Sequence, residues 1–331
     1  MINIDSISPA PNILPTSSHL TRADRWDHFL ARVGWKRGEH RVEPGLYALG
    51  SPTPDSPVFV TANYTLSFDA LRSVLGGVDG YILVLDTQGI NVWCAAGKGT
   101  FGTDEIVHRV FATGLKNVVR HRKLILPQLG APGVAAHLVK KQTGFLVEYG
   151  PVRAADLPAY LKTHQATAEM RRVRFTLRDR LALIPVEVTQ TLLWSALAVL
   201  AFYLLGGWFS ALAALTVFIA GLVLFPILLP WLPTHDFSAK GFILGVLAAL
   251  PFTVAAFLGN SSLAWWKQTL LGLQFLLIMP AAVAFLALNF TGSTTFTSRS
   301  GVRQEIFRYI PAMAWMGGIG IASTLALMFV R

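Results

Sequence analysis

The run Asn91-Val92-Trp93-Cys94-Ala95-Ala96-Gly97-Lys98-Gly99 carries the only cysteine in 331 residues. A cysteine thiolate is both a nucleophile and a soft metal ligand. Two alanines and a glycine follow the sulfur, so nothing bulky flanks it on that side, and Lys98 brings a cation near it. The arrangement suits a sulfur that approaches something large and flat. The bland alternative is a small buried hydrophobe, the usual fate of a lone cysteine after a strand. A phosphate-binding loop is excluded. That motif needs Gly five residues before Gly97 and Ser or Thr after Lys98, where this chain has Val92 and Gly99.

The elements that must position Cys94 alternate in type. Residues 58–63, 81–85, 90–93, 124–126 and 145–148 read as strands, which puts Cys94 at a strand-to-turn junction. Residues 67–75, 103–115, 133–141 and 154–164 read as helices, with Thr103 as an N-cap and Asp104 and Glu105 in the first turn, where the dipole favours them. Residues 21–32 read as a short helix with Trp26, Phe29, Leu30 and Val33 on one face. Residues 1–20 look loosely ordered, and Pro44, Gly45, Pro52, Pro54 and Pro57 make the following stretch turn-rich. Strand–helix alternation predicts a Rossmann-like, mostly parallel α/β sheet with helices on both faces. Ligands of such sheets sit beyond the carboxyl ends of the strands. Those ends hold Thr61 and Asn63, Asp86 and Thr87, the Cys94 segment, Gln128 and Gly130, and Gly150. Turn chemistry explains any one of these residues alone; their shared position makes them candidate ligand contacts.

The chain is 53% hydrophobic and only 14% charged, with a mean hydropathy of +0.50; soluble domains are about 25% charged. The apolar excess begins after about residue 185. Five apolar spans follow, at about 187–205, 208–230, 241–259, 268–290 and 310–330, each near the roughly 20 residues a transmembrane helix needs. The expected division is therefore 1–57 (irregular, with a short helix), 58–165 (α/β domain), 166–186 (basic linker) and 187–331 (an all-α five-helix transmembrane domain). The net charge of +10 reads as membrane topology and lipid contact, not nucleic-acid binding, because many arginines flank the spans. Arg171, Arg172, Arg174, Arg178 and Arg180 read as an anchor on anionic lipid, a bilayer contact. The loop charges predict a multi-pass inner-membrane protein with a cytoplasmic N-terminal domain and an exported C-terminus. Ala314, Gly318 and Ala322 form a small-residue stripe suited to close helix packing. Ionisable residues are absent from the spans apart from Glu187 at an edge, which argues for an anchor over a transport path. Met279, Met313 and Met316 read as core residues. One cysteine excludes both an internal disulfide and a Cys-ligated iron–sulfur cluster within the chain.

Asn-Val-Trp-Cys-Ala-Ala-Gly-Lys (91–98) closely resembles the signature of the corrinoid protein of anaerobic mercury methylation. That family is a membrane-anchored relative of the corrinoid iron–sulfur proteins of acetyl-CoA metabolism. Residues 61–69, Thr-Ala-Asn-Tyr-Thr-Leu-Ser-Phe-Asp, look like its other recurring segment. The resemblance implies that Cys94 is the lower axial ligand to the cobalt of a cobalamin held base-off. It also implies corrinoid contacts from Thr61, Asn63, Asn91, Val92, Trp93, Ala95, Ala96, Gly97 and Lys98. The Asp-x-His-x-x-Gly motif of His-ligated cobalamin enzymes is missing, which fits a cysteine ligand. The implied activity is a corrinoid-dependent methyltransferase, an enzyme that carries a methyl group on cobalt and transfers it to mercuric ion, Hg(II). The implied partners are a ferredoxin-like electron donor with two [4Fe-4S] clusters and a methyl donor, either a methyltransferase or a methyl-folate. Two other readings stand beside it. One is a corrinoid methyl carrier of one-carbon metabolism with another acceptor. The other is a membrane transporter or sensor with a regulatory α/β domain.

Overall fold

A computed structural model describes residues 12–259, 262–294 and 296–329. The chain falls into two compact units, Met1–Arg174 and Phe175–Arg331.

The first unit is a six-stranded sheet covered by helices. Its elements in order are β1 (Ile13–Thr16), α1 (Arg22–Val33), β2 (Gly45–Leu49), β3 (Val58–Ala62), α2 (Thr65–Val74), β4 (Gly80–Leu85), α3 (Val92–Lys98), α4 (Thr103–Ala112), α5 (Leu115–Val118), β5 (Lys123–Leu126), α6 (Ala136–Thr143), β6 (Leu146–Tyr149), α7 (Leu157–Thr163) and α8 (Ala168–Arg171). Short 3-10 turns at Gln128–Gly133 and Ala154–Asp156 lead into α6 and α7. The strand order is β1-β2-β4-β3-β5-β6. Every pair is parallel except β2–β4, so β3, β4, β5 and β6 end on the same edge. Strand period sorts the core. Val58, Val60 and Ala62 pack with Leu83, Leu85 and Leu126 against Ile106 of α4 and Val139 of α6. Phe59 and Ile125 point the other way, onto Leu75, Leu157 and Tyr160.

Four local expectations change. Residues 90–93 do not form a strand: Val92 and Trp93 open α3, for reasons given below. Ile13–Thr16, expected to be loose, is β1, and the turn-rich stretch contains β2; Met1–Pro11 lies outside the described residues. Both strands are short and join the sheet's edge by pairing with distant partners, which local composition does not signal. Thr103 is the first residue of α4 and Gly102 its N-cap. The Thr103 hydroxyl accepts instead from the backbone N–H of Ala135 at 2.8 Å.

The second unit is helical. It contains α9 (Leu177–Leu181), α10 (Ile184–Phe218), a π-helical turn (Ile219–Leu224), α11 (Phe225–Leu228), α12 (Phe237–Leu258), α13 (Trp265–Phe290) and α14 (Arg299–Phe329). Among the described residues, four helical runs are long and apolar enough to cross a membrane: Leu177–Leu228, Phe237–Leu258, Trp265–Ser293 and Ser300–Leu327. The first two expected spans lie in one run of 52 residues, which leaves helical geometry at Gly207 (φ 71°, ψ −169°). The close helix contact is not at Ala314, Gly318 and Ala322, which are partly or largely exposed. It lies between α12 and α13. A Cβ at Gly241 would come within 2.6 Å of Ala284 Cα, and one at Gly245 within 2.5 Å of Pro280 Cα. Gly241 and Gly245, four residues apart, are thus the small pair that lets two helices touch. Met279 and Met313 are buried in apolar clusters, and Met316 packs against one.

Arg180 departs from its expected role at a lipid surface. It is 4% exposed and donates from Nη1 to the carbonyls of Pro226, at 2.8 Å, and Ile227, at 2.5 Å. The N–H that would serve the Pro226 carbonyl in a helix belongs to residue 230, which is proline and has none. Arg180 fills that gap and lies over the Trp231 ring at 5.8 Å.

Candidate functional site

Asn63 follows β3 and is 1% exposed. Its Oδ1 accepts from the N–H of Thr87 at 3.1 Å, the Thr87 hydroxyl at 2.9 Å and the N–H of Gly89 at 3.0 Å. Its Nδ2 donates to Asp86 Oδ1 at 3.2 Å. One buried side chain thereby ties down the loop after β4. The Thr87 hydroxyl also donates to the Ile90 carbonyl at 2.7 Å, and positive φ at Gln88 and Gly89 turns the chain back. The loop delivers Asn91 to the N-cap of α3, where its Oδ1 accepts from the backbone N–H of Cys94 at 3.0 Å. A capping asparagine followed by helix-forming alanines makes residues 92–98 a helix instead of a strand. Gly99, at φ 91°, ends it.

The helix has two distinct faces. Val92, Ala95 and Ala96 are buried. Trp93 and Cys94 are half-buried, and Gly97 and Lys98 are exposed, so the one cysteine and the one glycine share an outward face at helical spacing. The buried face explains the small residues. A Cβ on Gly133 would lie 2.2 Å from the Phe101 carbonyl oxygen and 3.0 Å from Ala96 Cα, and one on Gly130 would lie 2.5 Å from the Phe101 ring. Ala96 and Gly130 are small because α3, Phe101 and the 128–133 turn press together. Gly97 has no such reason, since a Cβ there meets nothing within 4 Å. Glycine in a helix costs about 1 kcal/mol relative to alanine, and no contact among the described residues requires it at this position.

Beside this helix, at the carboxyl ends of β3, β5 and β6, lies a cavity of about 340 Å³. Of the expected contacts, Thr61, Asn91, Val92, Trp93 and Gly150 line it. Cys94, Gly97 and Lys98 stand on the outer face of α3. Asn63, Ala95, Ala96 and Gly130 lie beneath, as supports. Gln128 opens the 128–133 turn with its Oε1 buried and without a hydrogen-bond partner among the described residues; Thr100 Oγ1 is in the same state. An unsatisfied buried acceptor costs about 1–3 kcal/mol. Tyr64 and Ser67, not singled out from strand ends, also line the cavity. Their signal was the 61–69 segment itself: the chain turns into α2 there and returns Tyr64, Leu66 and Ser67 to the cavity. Burial raises the Tyr64 phenol above its ordinary pKa, against the pull of Arg37 and Arg32.

Comparison with known proteins places this unit. The profile of the family described as CO dehydrogenase/acetyl-CoA synthase delta subunit matches residues 36–161. An acetyl-CoA decarbonylase/synthase complex subunit gamma from Archaeoglobus fulgidus is 35% identical over 124 residues, covering 37% of this chain and 26% of that protein. The corresponding subunit from Methanopyrus kandleri is 33% identical over 128 residues, covering 38% and 27%. The corrinoid/iron-sulfur protein large subunit of Moorella thermoacetica is 27% identical over 175 residues, covering 50% and 39%. The chain thus spans well under half the length of these relatives. The profile match ends before Phe175, where the helical unit begins. In its α/β unit the chain is similar to gamma subunits of acetyl-CoA decarbonylase/synthase complexes and to a corrinoid/iron-sulfur protein large subunit.

Proposed function

We propose that the α/β unit holds a corrinoid base-off with Cys94 as its lower axial ligand, and that the protein passes a methyl group from that cofactor to mercuric ion. One observation carries this reading: the sole cysteine sits on an outward helix face that is left bare at Gly97, next to a mainly apolar cavity. The donor set suits the group. A thiolate is a soft ligand for cobalt, the bare face admits a broad planar macrocycle, and the cavity offers an apolar berth for the base displaced from the metal. When bound, the corrinoid supplies a cobalt centre that accepts and releases a methyl group.

The chain's own residues do the rest. Asn91 fixes the start of α3 and so the direction of the sulfur. Asn63 acts as a positioning residue through the 86–90 loop, since its amide is engaged within the protein. Trp93, Thr61 and Gly150 wall the cavity. Gln128, whose Oε1 is buried without a hydrogen-bond partner among the described residues, would supply an acceptor to the corrinoid, and Lys98 would bring positive charge to the sulfur's face.

The helical unit is the membrane anchor. A straight run of the 52 residues in Leu177–Leu228 would measure about 78 Å, against a hydrocarbon core of about 30 Å. The break at Gly207 lets it cross twice, giving five crossings, a cytoplasmic α/β unit and an exported C-terminus. The single cysteine requires an external reductant, which we assign to a ferredoxin-like protein with two [4Fe-4S] clusters.

The relatives favour a second reading, a corrinoid methyl carrier of one-carbon metabolism with a different acceptor. A product assay separates the two. Corrinoid-loaded protein given a methyl donor, reductant and mercuric ion should yield methylmercury, and Cys94→Ala should not. Methyl transfer that proceeds elsewhere and ignores mercuric ion would favour the second reading.

A further inference from the structure

Helix α1 is built inside out. Its Asp24, Asp27 and His28 face the protein, where they meet polar partners. Asp24 Oδ2 accepts from Arg72 Nη2 at 2.8 Å, and Asp69 Oδ1 accepts from Arg72 Nε at 2.5 Å. Asp27 binds His40 Nδ1 at 2.7 Å and the Thr65 hydroxyl at 2.8 Å. His28 Nε2 pairs with Asp69 Oδ2 at 2.7 Å. The opposite face carries Arg22, Arg25, Trp26, Phe29 and Arg32 at helical spacing. Trp26 is 62% exposed and Phe29 53%, their rings stacked 5.3 Å apart. Past the reversal at Gly34, Trp35 is 59% exposed, with Lys36 and Arg37 beside it.

Both helix carboxylates are turned inward, so the outward charge of α1 is wholly positive. Glu39 pairs with Lys36, at 3.2 Å. Among the described residues, none of these three large aromatics in a basic field is buried in a core of its own unit. Exposed apolar patches of this kind mark an interaction surface. Tryptophan favours the bilayer interface, arginine lays its stem on apolar surface while its head stays with phosphates, and a basic aromatic helix face lies flat on anionic lipid.

We infer that the outer face of α1, with the Trp35–Arg37 turn, docks on an anionic bilayer surface and holds the α/β unit against the headgroups. The inference rests on the membrane-anchoring reading above. It assigns this role to the basic aromatic face of the N-terminal unit, a second lipid contact besides the helical anchor. The contact would restrain the α/β unit near whatever approaches along the membrane.

Full-length protein in nanodiscs tests it. Discs are made with phosphatidylglycerol or with phosphatidylcholine alone, and hydroxyl-radical oxidation of Trp26, Phe29 and Trp35 is read by mass spectrometry. We expect oxidation to fall several-fold in phosphatidylglycerol discs relative to phosphatidylcholine discs, and high salt to reverse the fall. The triple variant Arg22→Gln/Arg25→Gln/Arg32→Gln should lose the protection while still entering discs. Equal oxidation in both lipids overturns the inference. So does protection that appears only as protein concentration rises, which would mark the face as a contact between copies of this chain. Failure of the chain to co-purify with discs at all would strike the anchoring reading instead.

Discussion

Helices α1 and α3 solve opposite problems. Helix α3 buries small apolar residues and leaves a nearly bare outer face, where a single sulfur stands beside an open glycine. Helix α1 buries its acids in a charge network and turns large aromatics outward. The first face is cleared for something flat to lie close; the second is furnished to sink into something soft. In both, the residues that look functional on the outside depend on an inner face that fixes the helix in place.

Removing the inner support of α1 should have the largest effect. Arg72→Ala leaves Asp24 and Asp69 without their cation, and breaking a buried ion pair costs about 3–5 kcal/mol. Hydrogen exchange over residues 22–33 and 65–74 should accelerate accordingly, while α3 keeps its protection. A uniform loss across the sheet would mean that the two helices are not independent.

On α3 the support is Asn91. Asn91→Ala should cost about 1 kcal/mol of helix stability and weaken corrinoid retention, and Asn91→Asp should restore both. Gly97→Ala sharpens the contrast, because its two effects have opposite signs. It should stabilise the apo protein by about 1 kcal/mol, since nothing crowds the new Cβ, and yet lower corrinoid affinity. Unchanged affinity would mean that the cofactor does not lie over this face.

The smallest expected effect is a pH dependence confined to α1. Burial disfavours the charged form of His40, but the Asp27 carboxylate and the Trp35 carbonyl, 2.6 Å from Nε2, outweigh it and raise the pKa. A raised folded-state pKa means stability that is complete below the ordinary imidazole value, near 6.5, and lost as pH climbs through the raised value. Proteolysis at Arg32 should therefore quicken on the alkaline side, and His40→Ala should flatten the profile.

Much of the sheet is legible in the sequence because β3, β4 and β5 are largely buried runs bounded by turn residues, and β6 follows in the same alternation with helices. β1 and β2 are not, since four or five residues paired with a distant strand leave no periodic trace. Cys94 stands out as the only sulfur of its kind. Its setting misleads because Ile90-Asn91-Val92-Trp93 has strand composition, and only the Asn63-held loop turns Asn91 into a cap. Asn63 belongs to the expected rim but supports the loop there and does not face the cavity. Sequence shows a polar residue at a strand end, not where its amide points. The helical unit has the same limit. Its apolar lengths are plain, whereas the glycines that let helices touch emerge only from seeing which ones face a neighbour.

The most direct test of the central claim is the visible absorption spectrum of anaerobically purified, cobalamin-loaded protein beside Cys94→Ala. Cys94 is half-buried and its thiol makes no hydrogen bond among the described residues, so the variant should remain folded. The account predicts a base-off spectrum with a thiolate-ligand feature that the variant loses. It also predicts a fall in methyl transfer beyond the roughly 10–100-fold that even second-sphere changes at metal sites cost. Identical spectra for the two proteins, or no cobalamin retained by either, would contradict it.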